Sequence, residues 1–189
     1  MVGAGASLEP AVVWFTGLSG AGKSTIARAV CERLLAAGAK VEELDGDSIR
    51  SVFPQTGFSK PERDAHVKRV GFLASRLEHH GVFVVCALIS PYAESRESVR
   101  RLCRRFVEVY VSTPLDECER RDVKGLYRRA RRGEIANFTG LDQAYEPPQD
   151  PELRIDTRHT SVQEAADLVM TTLGLAGGRF RAPARVAVL

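Results

Sequence analysis

A glycine-rich segment near the start of the chain constrains the fold more than any other feature of the sequence. It reads GLSGAGKST over residues 17–25, follows an apolar, β-branched run and precedes an amphipathic segment. This context places it between a predicted strand and a predicted helix. Glycines allow a sharp turn in which successive backbone N–H groups face an anion at the helix N-terminus. The segment fits the pattern GxxxxGK[ST], so we predict a phosphate-binding loop, or P-loop, that holds a nucleotide.

The P-loop pattern also predicts what its polar residues do. The ammonium group of Lys23 is expected to reach the β- and γ-phosphates, and the hydroxyl of Ser24 to bind Mg²⁺. A glycine-rich turn that only starts a helix is the alternative, and the combination of Lys, Ser and strand context argues against it. The predicted nucleotide-binding residues of the loop are Gly17, Ser19, Gly20, Ala21, Gly22, Lys23, Ser24 and Thr25.

The rest of the chain alternates between strand-like and helix-like segments. The predicted strands cover residues 11–16, 40–44, 83–89, 106–111 and 153–155. The predicted helices cover residues 23–37, 61–80, 93–104, 114–121 and 161–173. This alternation predicts an α/β fold of the P-loop NTPase type, a three-layer α/β/α sandwich with a mainly parallel sheet.

We expect a single P-loop domain over residues 11–174, between a flexible N-terminus at residues 1–10 and a C-terminal tail at residues 175–189. A polar, basic stretch at about residues 122–151 contains several glycines and prolines and is too long for a simple connection. We interpret it as a mobile basic lid of that domain.

Composition narrows the classes of protein to which the chain can belong. The 189 residues are 44% hydrophobic, enough for one substantial core, and the net charge of +3 is too small to indicate nucleic-acid binding. Four widely separated cysteines indicate neither a zinc site nor a disulfide framework. No apolar run approaches the roughly 20 residues of a membrane-spanning helix, and the N-terminus lacks the pattern of a signal peptide. We therefore expect a cytoplasmic protein without a membrane partner.

Two carboxylates follow the second predicted strand, in the sequence LDGD. Parallel strands end at the same edge of a sheet, so Asp45 and Asp47 are expected near the γ-phosphate end of the P-loop. One carboxylate can deprotonate an acceptor hydroxyl while the other positions Mg²⁺. The third strand lacks a Walker-B carboxylate and no NKxD-like motif follows, which favours a kinase over an ATPase motor or a GTPase. As an alternative, either aspartate could cap the following helix.

Basic and aromatic residues suggest how an acceptor would be held. Arg50, Arg63 and Arg69 offer paired donors to an anion, although each could be a solvated helix residue. Phe58 and Phe138 lie in the polar segments GFS and NFTG, where stacking on a base and anchoring a loop both remain open. The lid is expected to neutralise bound nucleotides with Arg120, Arg121, Lys124, Arg128, Arg129, Arg131 and Arg132. A nucleic-acid patch is the less favoured interpretation, because few aromatic residues interleave this cluster.

Five ordered motifs over residues 11–173 resemble the adenylylsulfate kinase family. They are GLSGAGKST, LDGDSIR, GFS followed by Arg63, ISPYAESR, and RDVKGLYRRARRGEIANFTG with YEPP. The resemblance implies transfer of the γ-phosphate of ATP to the 3′-hydroxyl of adenosine 5′-phosphosulfate, which gives 3′-phosphoadenylylsulfate and ADP. It implies Mg²⁺ as cofactor, a homodimer, and a possible partnership with a separate ATP sulfurylase.

The resemblance also implies roles for individual residues. Asp45 would be the general base and Asp47 a supporting carboxylate that also binds the metal. Arg50 and Arg63 would hold the phosphosulfate group. Phe58 and Phe138 would clamp the acceptor adenine between their rings.

Three further residues take their expected roles from the same resemblance. Ser90 matches a serine described as a phosphoserine intermediate, but in-line transfer needs no covalent step, so we expect it to donate a hydrogen bond to the acceptor. Arg121 and Lys124 would belong to the lid that closes over ATP.

The chain departs from the family pattern DRxxN, because Glu62 replaces the Asp and His66 replaces the Asn. The loop at residues 51–57 is also about one residue shorter than usual. His66 could still bind the acceptor phosphate, and an ordinary pKa near 6.5 would make that binding depend on pH. These departures leave open a kinase for another nucleotide-like acceptor. A catalytically silent nucleotide-binding partner of a sulfate-activating enzyme is the third hypothesis, against which the intact Lys23, Asp45 and Asp47 argue.

Overall fold

The computed structural model describes residues 9–53 and 57–175 of the chain. The predictions made for residues 1–8, for residues 176–189 and for the middle of the shortened loop, residues 54–56, lie outside this part. The expected domain limits at residues 11 and 174 stay a prediction.

Five strands form one parallel sheet whose middle strand is the first in the sequence. The strands are β1 (Val12–Thr16), β2 (Val41–Asp45), β3 (Phe83–Ala87), β4 (Phe106–Val111) and β5 (Leu153–Ile155). Their order across the sheet is β2-β3-β1-β4-β5, and all neighbours are parallel. The α/β fold with a parallel sheet is therefore confirmed.

Seven helices connect these strands within the described residues. They are α1 (Lys23–Ala36), α2 (Gly46–Val52), α3 (Lys60–His79), α4 (Ala93–Arg100), α5 (Leu115–Arg121), α6 (Leu126–Arg131) and α7 (Val162–Thr172). None of the described helices combines the length and the apolar character that crossing a bilayer requires. The strand β3 and the helix α4 end earlier than predicted, at Ala87 and Arg100 instead of residues 89 and 104.

The sheet is covered on both faces, which gives the three predicted layers. Val13 and Phe15 of β1 belong to a core cluster with residues of α1 and α7. Val12 and Trp14 belong to a second cluster with residues of α3 and α4. Successive side chains of a strand point to opposite faces, so β1 contributes to both cores and all five of its residues are buried.

Two short helices are absent from the predicted helix ranges, although capping of a helix after LDGD was considered. The carboxylate of Asp45 caps α2, because its Oδ1 accepts from the backbone N–H of Asp47 at 3.0 Å and of Ser48 at 3.2 Å. The helix α6 lies inside the expected lid, and the Asp122 carboxylate accepts from the N–H groups of Tyr127 and Arg128 at 2.9 and 3.1 Å. The lid is therefore partly helical, and its mobility stays a prediction.

Helices α3 and α4 pack closely at a glycine, which generates a prediction about stability. A Cβ atom on Gly71 would lie 2.3 Å from Cγ2 of the buried Val99. Overpacking of this kind costs about 1–3 kcal/mol, which exceeds the ~1 kcal/mol that Ala gains over Gly in a helix. We expect Gly71→Ala to lower the free energy of unfolding measured in urea. In a Val99→Ala background the added Cβ would meet only the Cβ of residue 99, at 3.0 Å. The loss should then be clearly smaller, and an equal loss in both backgrounds would contradict the packing argument.

Candidate active site

A cavity of about 600 Å³ opens where the P-loop, β2, β3 and the lid meet. It lies at the carboxyl ends of the parallel strands, where α/β sheets collect their loops. The predicted site residues that line it are Ser19, Gly20, Gly22, Lys23, Ser24, Thr25, Asp45, Asp47, Arg50, Phe58, Arg63, His66, Ser90, Lys124 and Phe138. Of the predicted lid residues, Arg129 also lines it. The predicted residues that do not line it are Gly17, Ala21, Arg69, Arg120, Arg121, Arg128, Arg131 and Arg132.

The P-loop turns between β1 and α1 in a path that requires glycine. Gly17 has a φ of 146°, and a Cβ atom there would lie 2.4 Å from the carbonyl oxygen of Val111 at the end of β4. Gly22 has a φ of 107° and forms the N-cap of α1. The loop therefore presents the N-terminus of α1 to the cavity, as an anion-binding turn does.

Lys23 is the charged residue of the loop, and only 8% of it is exposed. Its Nζ donates a hydrogen bond to the carbonyl oxygen of Leu18 at 2.7 Å. Burial is the main cause that lowers the pKa of Lys23, to about 8, and nearby carboxylates oppose the shift. The group is therefore mainly charged at neutral pH, beside the loop amides.

Three residues that do not line the cavity support the P-loop from behind. The hydroxyl oxygens of Thr113 and Thr157 each lie 3.1 Å from the carbonyl oxygen of Ala21. Arg121 donates from Nη1 to Oγ1 of Thr157 at 2.7 Å and from Nε to Glu117 at 2.7 Å. In this structure Arg121 therefore braces the loop through Thr157. The sequence analysis missed both threonines, and no local motif distinguishes them.

Asp45 joins the end of β2 to the P-loop. Its Oδ1 caps α2, while its Oδ2 accepts from the hydroxyl of Ser24 at 3.2 Å. The capping alternative considered from the sequence thus holds for Asp45, and it leaves the second carboxylate oxygen beside the P-loop. Asp47 is exposed and its Oδ2 lies 2.5 Å from Nζ of Lys124, so this ion pair connects the lid to α2.

Arg63 and Arg50 organise the opposite end of the cavity. The buried Arg63 donates from Nε to the carbonyl oxygen of Phe58 at 2.8 Å and from Nη2 to that of Asn137 at 2.6 Å. Arg50 donates to the carbonyl oxygen of Gly57 at 3.0 Å, and its guanidinium lies 4.8 Å from the centre of the Phe58 ring. Burial lowers the pKa of both arginines, which stay charged at neutral pH. Arg63 therefore ties the GFS and NFTG segments together, while Arg69 does not line the cavity.

The two phenylalanines differ in their surroundings. Phe58 is 50% exposed at the cavity and lies beside the two arginines. Phe138 is buried and packs edge-on against Tyr127, with the ring centroids 4.9 Å apart. Tyr127 also donates from its hydroxyl to the carbonyl oxygen of Ser19 at 2.9 Å, which links the lid to the P-loop. The sequence analysis gave no role to Tyr127, an aromatic residue among the arginines of the lid.

Within residues 9–53 and 57–175, two buried polar side chains on the cavity wall lack hydrogen-bond partners. They are His66, which is 1% exposed, and Thr139, whose hydroxyl was not singled out from the sequence. Burial lowers the pKa of His66 to about 4, and the nearby charge of Arg50 adds to this shift. A backbone contact with Gly46, outside the geometry of a hydrogen bond, opposes it. His66 is therefore neutral at pH 7, and the pH dependence near 6.5 considered from the sequence does not follow. Buried groups without partners are rare in proteins, so both point to a ligand.

Ser90 lies at the cavity but is only 2% exposed. Its φ of 37° is unusual for a residue with a side chain. Its Oγ accepts a hydrogen bond from Nε1 of Trp14 at 3.0 Å. The hydroxyl therefore already has a partner in the core, which does not favour a nucleophile.

Comparisons with known proteins agree on one family. A family model described as "Adenylylsulphate kinase" matches residues 9–156. An adenylyl-sulfate kinase of Picosynechococcus sp. is 53% identical over 162 residues, which cover 85% of this chain and 92% of that protein. One from Halothermothrix orenii is 48% identical over 162 residues, 85% of this chain and 88% of that protein.

Solved structures give the same result. The Mycobacterium tuberculosis APS kinase CysC, solved in complex with AMPPNP and APS, superposes with a TM-score of 0.84 at 41% identity, over 88% of this chain and 98% of that one. A hexameric APS kinase from Thiobacillus denitrificans gives a TM-score of 0.67 at 34% identity, over 90% of this chain and 30% of that chain. By sequence and by structure, the chain belongs to the adenylylsulfate kinase family.

Proposed function

We propose that this chain transfers the γ-phosphate of ATP to the 3′-hydroxyl of adenosine 5′-phosphosulfate and releases 3′-phosphoadenylylsulfate and ADP. The observation that carries this proposal is a single cavity with a P-loop at one end and a pair of arginines beside Phe58 at the other. Asp45 lies between these ends. The choice of acceptor is supported by relatives about half identical to this chain that are named adenylyl-sulfate kinases.

The P-loop end suits the triphosphate of ATP. Backbone N–H groups at the start of α1 and the ammonium of Lys23 supply positive charge where the transferred phosphoryl group carries negative charge. Because these donors are held by the fold before the reaction, they need little reorganisation in the transition state. Lys124 extends this positive charge from the lid, and Arg121 stabilises the loop through Thr157.

The oxygen donors near the P-loop fit Mg²⁺. The Ser24 hydroxyl and the Asp45 carboxylate lie 3.2 Å apart, and Asp47 adds an exposed carboxylate at the same rim. No group of three or more His, Cys, Asp or Glu side chains within residues 9–53 and 57–175 is arranged as a metal site. This agrees with an ion that takes most of its ligands from phosphates and water. Ser24 and Asp47 would hold Mg²⁺, which would offset the charge of the phosphates.

Asp45 is the proposed general base. Its Oδ1 is held by two N–H groups of α2, which fixes the orientation of the carboxylate, and its Oδ2 lies beside the P-loop. A carboxylate in that place can accept the proton of the 3′-hydroxyl as the oxygen attacks the γ-phosphorus. No covalent enzyme intermediate is needed, because both nucleotides occupy one cavity.

The other end of the cavity suits an anionic nucleotide acceptor. Arg50 and Arg63 supply positive charge for the phosphosulfate, and Phe58 and Phe138 offer ring faces or edges to the adenine. His66 would give this anion a neutral N–H donor. The hydroxyl of Ser90, on the cavity wall, would donate a hydrogen bond to the acceptor. AMP as a competing acceptor tests the alternative that the departure at His66 changes the preferred acceptor.

The cysteine chemistry supports a proposed cytoplasmic context. The four cysteines are all free, which suits a reducing cytoplasm. A homodimer and a separate ATP sulfurylase that supplies the phosphosulfate complete the proposal.

Asp45→Asn tests the base and the acceptor together. Asn caps a helix as well as Asp does, so the variant loses charge and basicity while α2 keeps its cap. We expect ADP release that depends on the phosphosulfate to fall by about 10²–10⁴-fold, with an unchanged melting temperature. The measurement is a coupled ADP-release assay with phosphosulfate, with AMP and with no acceptor.

The matched control for this variant is Glu42→Gln, which removes an exposed carboxylate from the same strand and should keep the wild-type rate. If the wild type releases ADP at the same rate with and without the phosphosulfate, the proposed reaction is contradicted. A fully active Asp45→Asn would contradict only the role of Asp45.

Ser24 variants test the proposed metal site. Ser24→Ala removes a ligand oxygen, whereas Ser24→Thr keeps a hydroxyl at the same place. At fixed ATP, we expect Ser24→Ala to need about tenfold more Mg²⁺ for its half-maximal rate, a change of about 1.4 kcal/mol. Ser24→Thr should respond as the wild type does, and identical Mg²⁺ titrations of the two variants would rule out Ser24 as a ligand.

The lowered pKa of His66 generates a prediction about pH. With a pKa of about 4, the imidazole gains a proton only as the pH falls well below neutrality, so its charge is constant between pH 6.5 and 8. We expect the ratio of the phosphosulfate KM of His66→Asn to that of the wild type to vary less than about twofold over this range. If the phosphosulfate KM changes near pH 6.5 in the wild type but not in His66→Asn, then His66 titrates at its ordinary pKa.

A further inference from the structure

Arg96, on helix α4, is a buried cation to which the proposed reaction gives no role. It is 3% exposed and does not line the cavity. Each nitrogen of its guanidinium has its own partner: Nε donates to Oε1 of Glu108 at 2.8 Å, Nη1 to the carbonyl oxygen of Ser90 at 2.8 Å, and Nη2 to that of Glu146 at 2.7 Å. One side chain therefore joins β4, the loop after β3 and the C-terminal end of the lid.

The loop that Arg96 holds is strained at Ser90. A φ of 37° is unfavourable for a residue with a Cβ atom, and such a conformation persists only where its surroundings enforce it. Three side chains do so here: Arg96 binds the Ser90 carbonyl, Trp14 donates to the Ser90 hydroxyl, and Thr16 donates to the carbonyl oxygen of Ile89 at 2.8 Å. Ile89 and Ser90 line the cavity, so the strain lies in its wall.

The C-terminal end of the lid is bound to the same loop. The backbone N–H of Glu146 donates to the carbonyl oxygen of Pro91 at 2.8 Å, and its carboxylate accepts from the N–H of Ala93 at 2.8 Å. The hydroxyl of Tyr145 lies 2.9 Å from that of Thr16. The Arg96 bond to the Glu146 carbonyl completes this junction.

A chain of hydrogen bonds continues from the junction to the acceptor end of the cavity. Tyr92 donates from its hydroxyl to Oε1 of Gln143 at 3.0 Å, and the Gln143 amide donates to Oδ1 of Asn137 at 3.0 Å. The carbonyl oxygen of Asn137 accepts from Arg63, and Phe138 follows it in the chain. The loop beside Ser90 and the ring of Phe138 are thus parts of one connected wall.

We propose that Arg96 is a positioning residue for the acceptor, which holds Ser90 and Glu146 so that the acceptor wall of the cavity keeps its shape. A buried ion pair such as Arg96–Glu108 is a weak source of net stability, because desolvation offsets the attraction. The pair neutralises the charge of a guanidinium whose other donors bind two loop carbonyls. This inference rests on the proposed function, because it concerns the acceptor of that reaction.

Arg100 offers a matched control on the same helix. It also pairs with Glu108, at 3.2 Å, and with Glu152, but its hydrogen bonds do not involve Ser90 or Glu146. Arg100→Met therefore weakens the same charge cluster without releasing the loop. Arg96→Met removes all three Arg96 bonds, and Arg96→Lys keeps the charge but cannot reproduce three bonds in a planar fork.

The experiment measures the KM for phosphosulfate and the KM for ATP from the rate of ADP release. It uses the wild type, Arg96→Lys, Arg96→Met and Arg100→Met, and the melting temperature of each is measured as well. We expect both Arg96 variants to raise the phosphosulfate KM about tenfold or more while the ATP KM stays within about twofold. Arg100→Met should leave both KM values within about twofold. If Arg96→Met does not fold, the Arg96→Lys result decides.

Equal changes of the two KM values in the Arg96 variants would overturn the inference, since they would indicate a general loss of structure. The same profile for Arg96 and Arg100 variants would overturn it too. A wild type that phosphosulfate does not stimulate overturns the proposed function and this inference together, whereas the first two results overturn the inference alone.

Discussion

The exclusion of strand β1 from solvent on both faces is the constraint on which the rest of the structure depends. A fully buried parallel strand needs helices on both faces and neighbours on both edges, and the sheet order provides them. The loop that leaves its end must then pass the end of β4, where only a residue without a Cβ atom fits beside the Val111 carbonyl. The position of the P-loop is in this sense a consequence of core packing.

Hydrogen bonds from other elements hold the P-loop firmly, whereas some groups elsewhere in the site have no hydrogen-bond partner or a strained backbone. Ala21 and Ser19 of the P-loop accept hydrogen bonds from side chains of other elements, which makes the loop rigid. Within the described part of the chain, His66 and Thr139 lie in the cavity wall without hydrogen-bond partners, and Ser90 keeps a strained backbone. Such features lower the stability of the folded chain, and proteins concentrate them where a ligand binds.

Local patterns were enough to predict the strands, most helices and the P-loop, because β-branched runs, amphipathic periods and glycine motifs act over short distances. The bounds of helix α2 were not predicted, because the sequence after Asp45 has no apolar period and the carboxylate that ends β2 also caps the helix. Placement of the arginines was predictable only in part: Arg63 lines the cavity as expected, yet two of its donors bind carbonyls from segments far apart in the chain. The pKa of His66 depends on burial, which a sequence pattern does not contain.

The lid is attached differently at its two ends. Near its start, Lys124 reaches Asp47 through a solvent-exposed ion pair, which dissolved salt screens and which contributes little free energy. At its end, Tyr145 and Glu146 are held by three hydrogen bonds of 2.7–2.9 Å, two of which are partly buried. Ionic strength therefore acts on the attachment through Lys124 far more than on the one through Tyr145 and Glu146. If the lid is mobile as predicted, we expect the contact between Lys124 and Asp47 to break before those of Tyr145 and Glu146, with the wall around Ser90 still assembled.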